Sequence, residues 1–171
     1  MNDKIIVYDN FLSDEDLKNV FINMQKNESS WYLKQKSTYK KGVNANEFGQ
    51  LMVSNITFFN DYLFDKIKTY LNIKSCDIQR IYFNGQLPHI HGHFHEDGCD
   101  NTVLIYVSEY DEEWGGFTQI KTPNSRCKFI YPIQKRMLSF PGNWEHKGFA
   151  YSYDFCPMRL SLAYKLNNVK L

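Results

Sequence analysis

Four of the five histidines, His89, His91, His93 and His95, fall within seven residues. In an extended strand alternate side chains share a face, so this spacing can line all four imidazoles along one side. Asp97 follows His95 by two positions, and Gly98 lets the chain turn directly after it. A strand end of this kind can present one nitrogen and one oxygen to the same cation. A third ligand must come from elsewhere, and His146 is the only remaining histidine. Two imidazoles and a carboxylate on one face of an iron leave three coordination positions open for reactants. The same donors also suit zinc, and a histidine-rich surface loop can collect metals without a function. Spacing by itself equally allows His93 in place of His95.

The elements that must position these groups follow from hydrophobic periodicity. Ile5-Ile6-Val7-Tyr8 is a short apolar run ended by Asp9-Asn10, an opening strand. Ser13 followed by Asp14, Glu15 and Asp16 supplies a hydroxyl cap and an acidic first turn, and Leu17, Val20, Phe21 and Met24 continue at helical spacing, which predicts a helix over 14–26. Residues 27–50 are polar around Trp31, Tyr32 and Tyr39 and suit one or two strands and a loop. Phe58, Phe59, Tyr62, Leu63, Ile67 and Leu71 give a second helix, over 57–71, one broad apolar face. Beyond Asn72 the pattern changes to short β-branched and aromatic pieces at 77–83, 90–95, 102–107, 116–120, 127–131, 136–139, 145–149 and 158–165, separated by turn residues. The order predicts a mainly β, α+β fold in which two helices cover one side of an antiparallel barrel or double sheet.

With 171 residues, 43% of them hydrophobic and 16% aromatic, the chain can bury about 70% of its extended surface, enough for one core and a single domain over 1–171. The 20 Lys and Arg are scattered and nearly matched by 19 Asp and Glu, so no basic nucleic-acid tract stands out. No apolar run has the length of a secretory core or of a membrane span. Cys76, Cys99, Cys127 and Cys156 form no CxxC pair, and free thiols in a cytoplasmic or otherwise intracellular compartment are expected. Arginine occurs only at 80, 126, 136 and 159.

Several ordered segments resemble the iron(II)- and 2-oxoglutarate-dependent dioxygenases of the prolyl 4-hydroxylase-like branch. Tyr82-Phe83-Asn84-Gly85-Gln86, then Gly92 and His95-Glu96-Asp97, resembles that family's lead into its His-x-Asp motif, and the offset to Asp97 selects His95 over His93. Thr102–Val107 resembles the next core strand, and Trp114-Gly115-Gly116-Phe117-Thr118 the Gly-Gly turn after it. Pro132 through Phe140-Pro141-Gly142-Asn143 to His146 resembles the hairpin carrying the distal histidine, and Arg159-Leu160-Ser161 through Leu166 the strand with the basic residue for the far carboxylate of 2-oxoglutarate.

The resemblance implies a double-stranded β-helix, or jelly roll, with residues 75–166 as the catalytic core and 1–74 as helical support. His95, Asp97 and His146 would hold Fe(II), with Arg159, Ser161, Tyr82 and Tyr106 around 2-oxoglutarate. Dioxygen would be the co-substrate, and ascorbate is a further candidate cofactor. The implied reaction is hydroxylation of a C–H bond with release of succinate and CO₂, foremost 4-hydroxylation of proline in a peptide or protein, as in procollagen-proline 4-dioxygenases. A free amino acid, a nucleic acid or a non-catalytic metal-binding role are the alternatives. Lys34, Lys36, Lys40 and Lys41 against Glu109, Asp111, Glu112 and Glu113 would give the mouth mixed charge, with Trp114 and Trp144 at the substrate rim. Arg159 lies thirteen residues after His146, where the family more usually has nine or ten, which predicts a bulge or loop over 148–157.

Overall fold

The structure, a computed structural model, describes residues 4–26, 31–36, 47–53, 55–154 and 156–171. Strand β1 (Ile6–Tyr8) and helix α1 (Asp14–Gln25) open the chain, followed by β2 (Trp31–Lys36) and β3 (Glu47–Val53). A π-helical segment, Phe58–Leu63, runs straight into α2 (Phe64–Leu71). The remainder is β4 (Ser75–Gln86), β5 (Asn101–Tyr106), β6 (Thr118–Lys121), β7 (Cys127–Ile130), β8 (Met137–Pro141), β9 (His146–Gly148) and β10 (Arg159–Lys170), with one 3₁₀ turn at Glu112–Trp114. The strands expected within 27–50 are β2 and β3; the expected loop, with Lys40 and Lys41, falls on residues 37–46, which like 27–30 lie outside the described residues.

Seven strands form one sheet in the order β1-β8-β5-β10-β4-β3-β2, and β7-β6-β9 form a second, every paired neighbour antiparallel. No ladder joins the two sheets among the described residues, so the double-sheet alternative holds and a closed barrel is not seen. Strand alternation sorts the large sheet's faces. Ile81, Phe83, Val103, Ile105, Leu162, Tyr164 and Leu166 pack with Val20, Phe59, Leu63, Ile67 and Leu71 into the core under the helices. On the other face Tyr82, Leu104, Tyr106, Leu138, Phe140 and Ala163 meet Ile120 of the small sheet and Trp144. The helices therefore cover one face of the large sheet, and the small sheet covers the other.

One expected strand does not form. Residues 90–95 lie in an irregular crossing that leaves the large sheet after β4, passes the small sheet and returns to the large sheet at β5, and they pair only through an isolated bridge between His95 and His146. Pro88 removes a donor, His89 takes a left-handed backbone (φ 65°), and Gly92 binds Gly148 by a single bond from its N–H to the carbonyl (2.8 Å). Without a strand the four histidines do not share a face.

The start of α1 carries more than its cap. Ser13 and Asp16 form a reciprocal capping box, and buried Asp16 also accepts from Tyr62 Oη (2.8 Å) and Lys66 Nζ (2.6 Å). Burial alone pushes this carboxyl up, but Lys66, Ser13 and Tyr62 together bring it down to about 2. Because the folded value lies below the roughly 3.9 of an unfolded aspartate, the stabilisation is complete above pH 4 and disappears as pH falls through about 2. Asp16→Ala is expected to cost about 2 kcal/mol at pH 7, from the lost cap and the lost tertiary pair. Urea unfolding should find that gap much reduced at pH 2.5; an equal gap at both pH values would contradict the ionic origin.

Candidate metal centre

The three candidate ligands come from two places in the fold. His95 and Asp97 sit on the crossing after β4, and His146 opens β9 directly opposite. Reciprocal backbone bonds between His95 and His146 (3.0 Å each way) and a bond from Asp97 N–H to Gly142 O (2.8 Å) fix the crossing against β9 and the turn after β8. One donor atom from each of His95, Asp97 and His146 lies within 4.8 Å of the others. His95 Nδ1 bonds the carbonyl of His93 (2.9 Å) and His146 Nδ1 that of Trp144 (2.9 Å). A carbonyl can only accept, so each Nδ1 carries the proton and each Nε2 lone pair is left to face Asp97, at 3.7 Å from His95 and 3.2 Å from His146. Burial, then the neighbouring His146, lowers His95 to about 4, which keeps its imidazole neutral and ready to ligate at neutral pH. Two imidazoles and a carboxylate, with no fourth protein donor among the described residues, fit an open divalent-metal site such as Fe(II) requires.

Asp97 is held from the far side by Thr102 Oγ1 (2.5 Å to Oδ2) and by Lys165 Nζ on the same oxygen. Lys165 is 2% exposed and also reaches Thr102 Oγ1 (3.3 Å). Strand register explains the trio: Lys165 on β10 pairs with Thr102 on β5, and both face the site. Burial raises the Asp97 carboxyl, but Lys165 and His146 outweigh it and hold it well below the usual carboxylate range. Lys165 is held above its ordinary value although burial opposes this, chiefly by Tyr82 and Asp97.

Period two along β10 places Arg159, Ser161, Ala163 and Lys165 on the inner face. Arg159 is 2% exposed and donates through Nε to Gly116 O (2.7 Å), Nη1 to Gln86 Oε1 (2.7 Å) and Nη2 to Thr118 Oγ1 (2.9 Å). All three acceptors are neutral, and no carboxylate among the described residues pairs with this guanidinium. Its planar fork is thus oriented by the protein and not neutralised by it. Tyr106 lies beneath, its ring centroid 5.3 Å from the guanidinium and its hydroxyl 2.8 Å from Thr118 Oγ1.

A single cavity of about 240 Å³ connects the triad to Arg159, and Tyr82, Asn84, Ser161 and Lys165 also line it. That volume suits a small acid. Tyr82, on β4 beside Ala163, stands between the cations of Arg80 (5.3 Å to the ring centroid) and Lys165 (5.6 Å). Six of the seven residues singled out from sequence line one cavity, and Tyr106 backs it through Thr118. Lys165, Thr102 and Gln86 complete the site but were assigned no role in it from sequence. The signal for Lys165 was available: it is the lone charge in the apolar run Leu160–Leu166, in phase with Arg159.

Other expectations need correction. Trp144 is 9% exposed and belongs to the core between the sheets, and Trp114 packs on Tyr151 (5.4 Å between centroids), so neither lines the cavity. The acidic group at 109–113 lies outside the cavity lining, whose charged members are Arg80, Glu96, Asp97, Arg159 and Lys165. Two of the remaining histidines brace loops: His89 Nε2 meets Asp154 (2.8 Å), and His91 Nδ1 accepts from the backbone of Ala150 (3.1 Å). Both contacts tie down the connection between β9 and β10, the loop that the long His146–Arg159 spacing implied.

Gly116 shows how closely the backbone approaches Arg159. It has φ 75°, and a Cβ there would stand 2.4 Å from the Tyr151 ring. Gly116→Ala is expected to displace the carbonyl that orients Arg159 and to weaken binding of 2-oxoglutarate about tenfold or more by calorimetry, while Mn(II) affinity changes little. Unchanged affinity for the acid would show that this carbonyl does not set the guanidinium's position.

No family model and no curated protein matches the sequence. Solved structures do. A prolyl-4-hydroxylase from Pseudomonas putida superposes with a TM-score of 0.69 at 12% identity, covering 96% of this chain and 93% of that one. A viral collagen prolyl hydroxylase from Paramecium bursaria Chlorella virus-1, solved with 2-oxoglutarate, gives 0.66 at 17% identity over 95% and 94%. A prolyl hydroxylase from Trichoplax adhaerens, in complex with a hypoxia-inducible-factor peptide, gives 0.69 at 16% identity over 98% and 84%. With two sheets, helices on the outer face of the larger one and a triad at the crossing between them, the chain has the fold of the iron(II)- and 2-oxoglutarate-dependent oxygenases, prolyl hydroxylases among them.

Proposed function

We propose that this chain is an iron(II)- and 2-oxoglutarate-dependent oxygenase of the prolyl 4-hydroxylase-like branch, and that it hydroxylates proline in a peptide or protein. The observation that carries the reading is the continuous cavity with an open two-histidine, one-carboxylate triad at one end and an un-neutralised buried arginine at the other. His95, Asp97 and His146 would hold the iron, which supplies the oxidising chemistry when bound with 2-oxoglutarate and dioxygen. The chain's own residues do the positioning. His93 O and Trp144 O keep both imidazoles in the tautomer with a free Nε2. Thr102 and Lys165 lock the plane of the Asp97 carboxylate. Arg159 offers its fork to the far carboxylate of the acid, since a desolvated guanidinium gains most from a bidentate anion. Ser161 supplies a hydroxyl beside it, and Tyr106 steadies Thr118 and hence Arg159.

The peptide substrate rests on the fold shared with enzymes that hydroxylate collagen and hypoxia-inducible-factor sequences, and on a lining that mixes Gln50 and Asn84 with charges of both signs.

Anaerobic titration of the metal-free protein with Fe(II) and then 2-oxoglutarate tests the first half: a weak visible charge-transfer band should appear only with both. Proline-containing peptides should then drive succinate formation and gain 16 Da. Bound iron without the band would favour a non-catalytic metal site. Succinate with free amino acids or nucleic acid, but not with peptides, would retain the oxygenase and overturn the substrate.

A further inference from the structure

The proposed centre contains one group that a metal site does not call for: an ammonium against its only anionic ligand. Lys165 is 2% exposed, contacts Asp97 Oδ2 and reaches Thr102 Oγ1. The single negative charge that a divalent ion would use is therefore already matched. Arg159, in the same cavity, has only neutral acceptors. A divalent ion entering alone would leave three net positive charges among Asp97, Lys165, Arg159 and itself. The other charged lining residues, Arg80 and Glu96, oppose one another and add nothing net. Charge accumulation in a desolvated cavity is poorly screened, so it weighs directly on affinity. A dianionic acid spanning the cavity would remove two of the three charges.

We propose that Lys165 sets the metal affinity of this site: its ammonium on Asp97 holds down the affinity for a divalent ion, so that the ion is held well only when a chelating dianion shares the cavity. This rests on the reading of His95, Asp97 and His146 as metal ligands. Coupling of this kind is reciprocal, so the metal raises affinity for the acid by the same factor. A site so built stays largely metal-free until its co-substrate is present. Lys165 is a positioning and electrostatic residue here, acting through Asp97.

The test uses Mn(II) without oxygen, read by the electron paramagnetic resonance signal of the free ion, so it does not depend on turnover. In the wild type, saturating 2-oxoglutarate should tighten Mn(II) about 100-fold. Lys165→Met keeps the apolar stem and removes the charge; it should bind Mn(II) about tenfold more tightly than the wild type, both alone and with the acid. Lys165→Arg should keep wild-type affinity, which a purely steric role would not require. Mn(II) binding that weakens or stays unchanged in Lys165→Met would make the lysine a mere strut for Asp97 and overturn the inference. A wild type that takes up no Mn(II) even with the acid present would remove the metal-site reading itself.

Discussion

Asp97→Asn is expected to abolish tight binding of divalent metal in the presence of 2-oxoglutarate and, separately, to destabilise the metal-free protein by about 3–5 kcal/mol. The two losses have different origins. Metal affinity falls because an amide oxygen offers no charge to a cation held otherwise by two imidazoles. Stability falls because Lys165, 2% exposed, would face a neutral amide where it now faces a carboxylate, and a buried charge deprived of its partner costs far more than the pair was worth. The double variant Asp97→Asn, Lys165→Met separates them: urea unfolding should recover most of the stability while Mn(II) binding stays lost. Recovery of neither would mean that the pair is not the source of the penalty. Tight Mn(II) binding by the single variant would remove Asp97 from the ligand set.

Legibility in the sequence followed how local the physics was. Helix α1 was readable because Ser13, the acidic first turn and the spacing of Leu17 to Met24 all act within a few residues. Most strands of the two sheets were readable from alternation and turn residues, and Arg159, Ser161 and Lys165 share a face by period two alone. The histidine run misled because periodicity presupposes a strand, whereas the chain between Gln86 and Asn101 leaves the large sheet, passes the small one and returns to the large sheet. There Pro88, left-handed His89 and Gly92 decide the path, and only His95 of the four reaches the triad. Pairings across the fold were the hardest to read. That Asp97 would meet Lys165, or that Gln86 would hold Arg159, depends on the register between β4, β5 and β10, which no single segment encodes. The tryptophans failed for a related reason. Nearness in sequence to the Gly-Gly turn or to His146 does not say whether a large side chain turns outward or into the space between the sheets, and Trp144 turns inward.

Arg159→Met should separate the two ends of the cavity. The guanidinium is 2% exposed and bound by Gly116 O, Gln86 Oε1 and Thr118 Oγ1 without a counter-ion, and burial draws it below its ordinary value. An arginine in this state has paid its desolvation already, so a carboxylate that meets it gains a charge-assisted pair worth about 2–5 kcal/mol. At 1.4 kcal/mol per tenfold, its loss should weaken 2-oxoglutarate by roughly 30-fold to more than 1,000-fold by calorimetry in the presence of Mn(II). Mn(II) affinity without the acid should not fall, because Arg159 touches none of the three ligands. Stability of the acid-free protein should change little: a buried charge without a counter-ion is removed, and three acceptors lose their donor. Arg159→Lys should recover part of the affinity, since a point charge remains but the fork and its three fixed bonds do not. Undiminished binding of the acid by Arg159→Met would assign the far carboxylate to Arg80 or Lys165, and the acid would then lie in the cavity with its chelating end away from His95, Asp97 and His146, which the proposed chemistry does not allow.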